Sequence, residues 1–311
     1  MAGGSGPRAR GFGRYNRRGT PHLIPPLRSD CLEGLRVVST ALNLPGPAAC
    51  ARLRELGAAV TKVEPPAGDP FERYCPAWYA RLHEGVTILR LDLKSGAGRA
   101  ALDARLAEAD LLLTAQRPAA LARLGLDPAS LGARHPRLCA VAITGHAAPH
   151  EDLAGHDLTY MAAAGLVTPP ALPPTLFADM AGSERAVSLA LALVIRRERT
   201  RRGSAATAPL EEAATLLAGP RDEGLTKPGA LLGGGNAAYN VYATKRGWVA
   251  VAALEPHFER SLAAALGLTG LDAATLAGRF AAQSAAYWEA WARERDLPIA
   301  ALRPLPPDDI P

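Results

Sequence analysis

The sequence lacks the features that mark several large classes of protein. It has only four cysteines in 311 residues and no CxxC spacing, which argues against a disulfide framework or a metal site and favours reduced thiols in the cytoplasm. It has no run of 18 or more apolar residues, so we expect no membrane span. The first predicted strand leads into Asn43-Leu44-Pro45-Gly46-Pro47 and not into GxGxxG, which disfavours an NAD-type cofactor.

The excess of positive charge is confined to the N-terminal end. The formal net charge is +5, but residues 1–30 contain six arginines and one acidic residue, and the rest of the chain carries equal numbers of basic and acidic side chains. We therefore expect no nucleic-acid binding by the body of the chain. The tail itself is rich in Gly, Arg and Pro, a composition that predicts disorder.

Short apolar or β-branched runs alternate with helical segments in the first half of the chain. The predicted strands are Arg36–Ser39, Val60–Glu64, Thr87–Leu91, Leu111–Thr114 and Cys139–Thr144. This alternation predicts an α/β fold with a doubly wound parallel sheet. Sheets of this kind bind ligands at the carboxyl ends of their strands.

The pattern changes towards the C terminus, where Tyr239–Ala243 and Trp248–Ala253 predict a β-hairpin that amphipathic helices follow. The predicted organisation has four parts. They are a disordered tail (1–30), a large ligand-binding domain (31–180), connecting helices (181–230) and a small α+β domain (231–311).

Two side chains that can carry protons stand at neighbouring helix starts. His156 precedes an apolar run, and Asp179 heads a longer apolar helix, where free backbone N–H groups favour a carboxylate. A Pro-rich loop folds the chain back between them. Taken alone, Asp179 could be an N-cap and His156 a surface residue. If both face one carbon atom, they could act as acid and base.

Several short segments, in the same order, resemble the class III CoA-transferase (CaiB/BaiF) superfamily over about residues 32–305. They are LEGLRVV from Leu32, PGP from Pro45, LGAAVTKVE from Leu56, LDLKS from Leu91, and RP at Arg117 followed by RLGL at Arg123. Three further segments are similar to its α-methylacyl-CoA racemase branch. They are GHD from Gly155, AD from Ala178 and ALEPHF from Ala253.

This resemblance implies an acyl-CoA thioester as substrate, with coenzyme A as part of that substrate and no tightly bound cofactor. It also implies a Rossmann-like large domain, a smaller domain and a homodimer of interlocked subunits. In the racemase branch, the residues matching His156 and Asp179 are the acid/base pair, and the residue matching Glu255 pairs with the histidine.

The resemblance further implies which residues bind coenzyme A. Cations at the ligand edge of the sheet suit its phosphates, and polar side chains near His156 suit its pantetheine arm. The implied positions are Lys62, Leu91, Lys94, Arg117 and Arg123 for CoA, with Asp157 and Tyr160 for the pantetheine arm.

The expected reaction inverts the α-carbon of a 2-methylacyl-CoA-type thioester through an enolate. One base removes the α-proton and an acid returns one to the opposite face. Backbone N–H groups at the helix start after Asp179 are candidate donors to the enolate oxygen. Asp179 must accept a proton near neutrality, and an apolar pocket from Leu176, Phe177 and Met180 would raise its pKa. The nearby carboxylate of Glu184 would further disfavour a second negative charge.

Three alternatives stay open at this point. The first is transfer of CoA between carboxylic acids through a covalent Asp179 intermediate, which needs no histidine. The second is a non-catalytic acyl-CoA-binding relative, and the third is a small-molecule racemase that acts without CoA.

Overall fold

Six parallel strands form the central sheet, in the order β3-β2-β1-β4-β5-β6. A computed structural model describes residues 30–303. The strands are β1 Arg36–Ser39, β2 Ala59–Glu64, β3 Thr87–Arg90, β4 Leu111–Thr114, β5 Cys139–Thr144 and β6 Ala205–Pro209. This order confirms the predicted doubly wound α/β fold. Because the strand order reverses between β1 and β4, a crevice opens at their carboxyl ends.

Eight helices flank this sheet within the described residues. They are α1 Pro45–Glu55, α2 Pro70–Tyr74, α3 Pro76–Leu82, α4 Gly96–Glu108, α5 Pro118–Leu124, α6 Pro128–Arg134, α7 Asp157–Ala163 and α8 Phe177–Thr200. Side chains cap two of these helices, since Ser95 accepts a hydrogen bond from the Gly98 N–H at the start of α4 and Asp127 accepts one from the Ser130 N–H at the start of α6. The long helix α8 packs against α1, β5 and β6.

The core of this part of the chain forms around the middle strands. All four residues of β4 are buried, and Leu111, Leu112 and Leu113 have no exposed surface. A continuous apolar run of this kind is what a parallel strand needs when helices cover both faces of its sheet. The central strands therefore form a fixed platform for the loops at their carboxyl ends.

Around the central sheet, the pattern reasoning missed one strand, β6, and three helices, α2, α3 and α5. Strand β6 pairs in parallel with β5, but its alanine-rich sequence has low intrinsic strand preference, so its conformation depends on that pairing. Helices α2, α3 and α5 are short, and each begins with a proline, at a position where the missing N–H costs nothing. Their brevity leaves no helical periodicity to detect.

The chain divides into two compact units. The first comprises residues up to Ala163 together with Val167–Ala214, and the second comprises Ala164–Leu166 with the residues from Thr215 onward. These limits differ from the predicted boundaries at 180 and 230, because α8 packs on the large sheet instead of serving as a connection. Residues 1–29 of the predicted tail lie outside the described part of the chain.

The second unit contains a small antiparallel sheet. The strands of this sheet are β7 Tyr239–Ala243, β8 Trp248–Ala252 and β9 Ile299–Ala301, and the helices of the unit are α10 Pro256–Leu266, α11 Ala273–Phe280 and α12 Ala285–Arg293. The division between the two units falls within helix α9, Leu210–Asp222. The predicted hairpin is present as β7 and β8. Its core centres on Val249, Phe280 and Trp288. No helix found between residues 30 and 303 combines the length and apolar character that crossing a membrane requires.

Candidate active site

His156 lies immediately before α7 and faces a pocket at the carboxyl ends of the central strands. Its backbone is fixed by Thr159, whose hydroxyl accepts a hydrogen bond from the His156 N–H at 3.0 Å and donates one to the His156 carbonyl at 2.7 Å. The imidazole lines the pocket, and the residue is exposed. The predicted placement at a helix N-terminus is thus confirmed.

Asp179 lies in the first turn of α8, which begins at Phe177. Its backbone N–H donates a 3.0 Å hydrogen bond to Oδ1 of Asp157, a buried carboxylate. The N–H of the next residue, Met180, already bonds the carbonyl of Leu176. These two N–H groups are therefore engaged and are not free donors for an enolate oxygen.

The pocket has a volume of about 310 Å³ and contains both His156 and Asp179. Asn43 from the β1–α1 loop, Arg117 before α5, and Tyr160 from α7 also line it. All its lining residues belong to the first unit. The fold thus brings into one pocket two side chains that can carry protons and that are 23 residues apart in sequence.

The pKa of Asp179 is raised to about 7, first because the carboxyl is buried and second because the negative charge of Asp157 lies nearby. The sequence had suggested other causes. Leu176, Phe177 and Met180 are each more than a third exposed, so they do not enclose the carboxyl. Glu184 points elsewhere, with its carboxylate 3.8 Å from Arg52.

Tyr160 is buried and lines the same pocket as His156 and Asp179, and burial followed by the charge of Asp179 raises its pKa. A Cβ atom at either Gly145 or Gly155 would collide with its side chain, so both positions need glycine. The Tyr160 ring packs edge-on against His146, with ring centroids 5.2 Å apart.

His146 is part of a pair that the sequence reasoning did not identify as functional. Its Nδ1 lies 2.5 Å from Oε2 of Glu211, and the other carboxylate oxygen accepts a 2.6 Å hydrogen bond from the Ala147 N–H. Because 65 residues separate the two side chains, no local motif could have revealed the pair. Its contact with Tyr160 places it behind the pocket wall.

A second pocket, of about 460 Å³, adjoins the first, and Leu42 and Gln116 line both. It contains three residues predicted to bind coenzyme A, namely Leu91, Lys94 and Arg123. Arg99 also lines it and had not been predicted. The pocket therefore combines an apolar wall with exposed cations, which suits a ligand that carries phosphate groups.

Three other predicted residues lie elsewhere. Arg117 lines the first pocket, with His156 and Asp179, and not the second one. Lys62 is fully buried and forms ion pairs with Glu64 and Asp69, so it is not grouped with Lys94 and Arg123. Glu255 stands just before α10 in the second unit, and its pairing with His156 stays a prediction.

Together, the fold and the site define a class of protein. A doubly wound α/β unit holds a histidine and an aspartate in one pocket and exposed cations in the pocket beside it, an arrangement suited to proton transfer on a long anionic ligand.

The sequence comparisons agree with this description and name the family. The profile of CoA-transferase family III matches residues 32–306, and the chain belongs to this family. It is 31% identical over 261 residues to human alpha-methylacyl-CoA racemase, a match that covers 76% of this chain and 65% of the human protein. It is 33% identical over 208 residues to Cinnamoyl-CoA:phenyllactate CoA-transferase from Clostridium sporogenes, covering 60% of this chain and 50% of that protein.

The chain thus spans about half to two thirds of the length of these curated relatives. Among solved structures, it resembles a CaiB/BaiF family protein from Brucella suis, with a TM-score of 0.73 and 24% identity, covering 88% of this chain and 84% of that one. At this level of identity the likeness concerns the fold alone.

Proposed function

We propose that the protein is an acyl-CoA racemase or epimerase that inverts the α-carbon of a 2-methylacyl-CoA-type thioester. The observation that carries the proposal is the joint presence of His156 and Asp179 in one pocket, with the pKa of Asp179 at about 7. A group that titrates near neutrality can take a proton in one direction and return it in the other. Inversion requires this reversibility of both groups.

In this mechanism, one of the two side chains removes the α-proton and the other delivers a proton to the opposite face of the planar enolate. Their roles exchange for the other enantiomer. Glu255, if it reaches His156, would favour the charged imidazole and fix its tautomer. Because the N–H groups of Asp179 and Met180 are engaged, we propose that the guanidinium of Arg117 stabilises the enolate oxygen.

Coenzyme A would lie across both pockets. We propose that Lys94 and Arg123 bind its phosphates in the second pocket, where Leu91 lies beside them. The pantetheine arm would then pass Leu42 and Gln116, which line both pockets, to bring the thioester to His156 and Asp179.

Apolar side chains stand on the two helix starts that carry the acid/base pair. Leu158 on α7 and Leu176, Phe177 and Met180 at the start of α8 are all more than a third exposed. Covering such side chains with an apolar ligand is favourable because it removes their surface from water. This supports an apolar acyl group.

CoA transfer between carboxylic acids is the second candidate, and the likeness to the C. sporogenes transferase favours it. It would require Asp179 to attack a thioester as a carboxylate. A pKa of about 7 leaves roughly half of this carboxyl protonated at neutral pH, which suits proton transfer better than nucleophilic attack. A third possibility is acyl-CoA binding without turnover, which predicts neither exchange nor transfer.

We also propose that the protein is a homodimer and that it works in the cytoplasm. The homodimer rests on the family resemblance. The buried thiols of Cys50 and Cys139 support a reducing compartment.

The experiment that tests this function compares the single variants His156→Gln and Asp179→Asn on each enantiomer of a 2-methylacyl-CoA in D₂O. Each variant should lose racemisation by at least about 100-fold. Each should keep some α-proton exchange on the one enantiomer that faces its remaining base. Full racemisation by the H156Q protein would contradict the proposal, and trapping of an Asp179 adduct with hydroxylamine would favour transfer.

A further inference from the structure

A cluster of buried polar side chains lies under the β1–α1 loop. At its centre, the Lys62 ammonium contacts Oδ2 of Asp69 at 2.5 Å, Oε1 of Glu64 at 3.0 Å and Nε2 of His83 at 3.0 Å. Lys62 and Glu64 have no exposed surface, and Asp69 and His83 are almost fully buried. All three protons of the ammonium therefore have acceptors inside the protein.

The hydrogen-bond roles in the cluster are mutually consistent. The Nδ1 of His83 lies 2.7 Å from the Tyr79 carbonyl, which can only accept, so Nδ1 carries the proton and Nε2 is free to accept from Lys62. Burial and the positive charge of Lys62 lower the pKa of His83, which favours this neutral form. The Tyr79 hydroxyl donates to Glu64 at 2.7 Å.

Stability alone does not account for such a cluster. Removing a lysine and two carboxylates from water is costly, and replacing buried ion pairs by apolar side chains of similar volume is often neutral or stabilising. A role in fixing geometry is the best-attested reason for keeping buried charges. The cluster acts on the backbone at Asn43, through the hydrogen bonds of Asp69.

Asp69 connects the cluster to the catalytic pocket. While its Oδ2 is held by Lys62, its Oδ1 accepts hydrogen bonds from the N–H of Asn43 at 3.0 Å and of Phe71 at 2.9 Å. Asn43 has a φ of 60°, in the left-handed region that residues other than glycine adopt uncommonly. It also lines the pocket that contains His156 and Asp179.

We propose that Lys62 is a positioning residue and not a ligand of coenzyme A. It orients Asp69, and Asp69 holds the left-handed turn at Asn43 that forms one wall of the catalytic pocket. Glu64, the other acidic partner of Lys62, lines the second pocket. The cluster therefore lies against both binding pockets. Disrupting it should lower kcat more than it changes KM, an expectation that rests on the proposed function.

The test is Lys62→Met, which keeps the length of the side chain and removes the charge. Amide hydrogen exchange of the peptide around Asn43 should become at least tenfold faster, because Asp69 is no longer held. In the racemisation assay kcat should fall about tenfold, with KM changed less than threefold. A second change, Asn43→Gly, should recover most of the lost kcat in the K62M background, since glycine adopts this φ freely.

Arg90→Met is the matched control. Arg90 lies 3.9 Å from the other oxygen of Glu64 and is 56% exposed, so this variant perturbs the cluster without touching Asp69. It should leave exchange at Asn43 and kcat within twofold of the wild type. If the K62M protein does not fold, Asp69→Asn gives the same test, with a smaller effect in the same direction.

Two results would overturn the proposal. One is unchanged amide exchange around Asn43 in the K62M protein. The other is a loss of kcat that Asn43→Gly does not recover and that follows the loss of thermal stability. If the wild type shows no racemisation, the proposed function fails, but the amide-exchange result still decides the role of Lys62.

Discussion

The backbone N–H of Asp179 donates a 3.0 Å hydrogen bond to the carboxylate of Asp157, which is only 4% exposed. The bond places a negative charge at the positive end of α8, where it is favourable, and close to a second carboxyl group, where it is not. The second effect contributes to the raised pKa of Asp179, after burial. Asp157 therefore both fixes the backbone of Asp179 and contributes to its raised pKa.

Replacing Asp157 by Asn should separate these two effects. The amide oxygen can still accept from the Asp179 N–H, but the negative charge is gone. We expect the pKa of Asp179 to fall and to stay above its ordinary value, because burial is the larger cause. The acidic limb of the pH–kcat/KM profile for the enantiomer that Asp179 deprotonates should move to lower pH by the same amount. An unshifted limb would contradict this role of Asp157.

The raised pKa of Asp179 also predicts how stability depends on pH. A carboxyl whose pKa is about 7 in the folded protein, against an ordinary value of 3.8, binds a proton more tightly when the chain is folded. Its contribution to stability is therefore greatest in acid and is lost as the pH rises from about 4 to 7.

The variant Asp179→Asn cannot ionise, so it should be more stable than the wild type by roughly 1–4 kcal/mol at pH 8. The difference should shrink towards zero near pH 4. Urea unfolding at both pH values measures it. A D179N protein that is less stable than the wild type at pH 8 would show that the charged carboxylate of Asp179 does not destabilise the folded state.

The cations of the second pocket predict a salt-dependent affinity for coenzyme A. Changing Lys94 or Arg123 to Gln should raise the Kd for CoA by roughly 3- to 30-fold, because each change removes a charge-assisted bond to phosphate. The effect should weaken as salt is added. Isothermal titration with CoA at low and high salt tests this, and Lys245→Gln, in the second unit, is the control. If Lys245→Gln lowers the affinity for CoA equally, Lys94 and Arg123 are not the residues that bind its phosphates.

The sequence was sufficient for most of the sheet. Strands β4 and β5 have the predicted bounds, because buried parallel strands are short apolar runs that turns interrupt. His156 and Asp179 were also predictable as residues at helix starts, since the small-residue turn and the apolar segments that follow them are local features. The strand β6 was not, because Ala205–Pro209 becomes a strand only by pairing with β5.

The sequence was not sufficient for the charges around the site. A lysine is usually exposed, so the sequence alone places Lys62 on the surface. Its burial depends on partners beside α2 and α3, two helices that the sequence pattern did not predict. The contact between Asp157 and Asp179 likewise joins two helices across 22 residues. Such contacts are set by tertiary packing, and local preference carries no information about them.

Exchange at the α-carbon distinguishes inversion from CoA transfer in a single assay of the wild-type protein. The purified wild-type protein is incubated in D₂O with one enantiomer of a 2-methylacyl-CoA and no second carboxylic acid, and the α-proton is followed by NMR. If the protein is a racemase, deuterium enters the α-carbon while the opposite enantiomer accumulates. The opposite result is a thioester that binds but keeps its α-proton and its configuration, and that passes its CoA to an added carboxylic acid. That result would show a CoA-transferase.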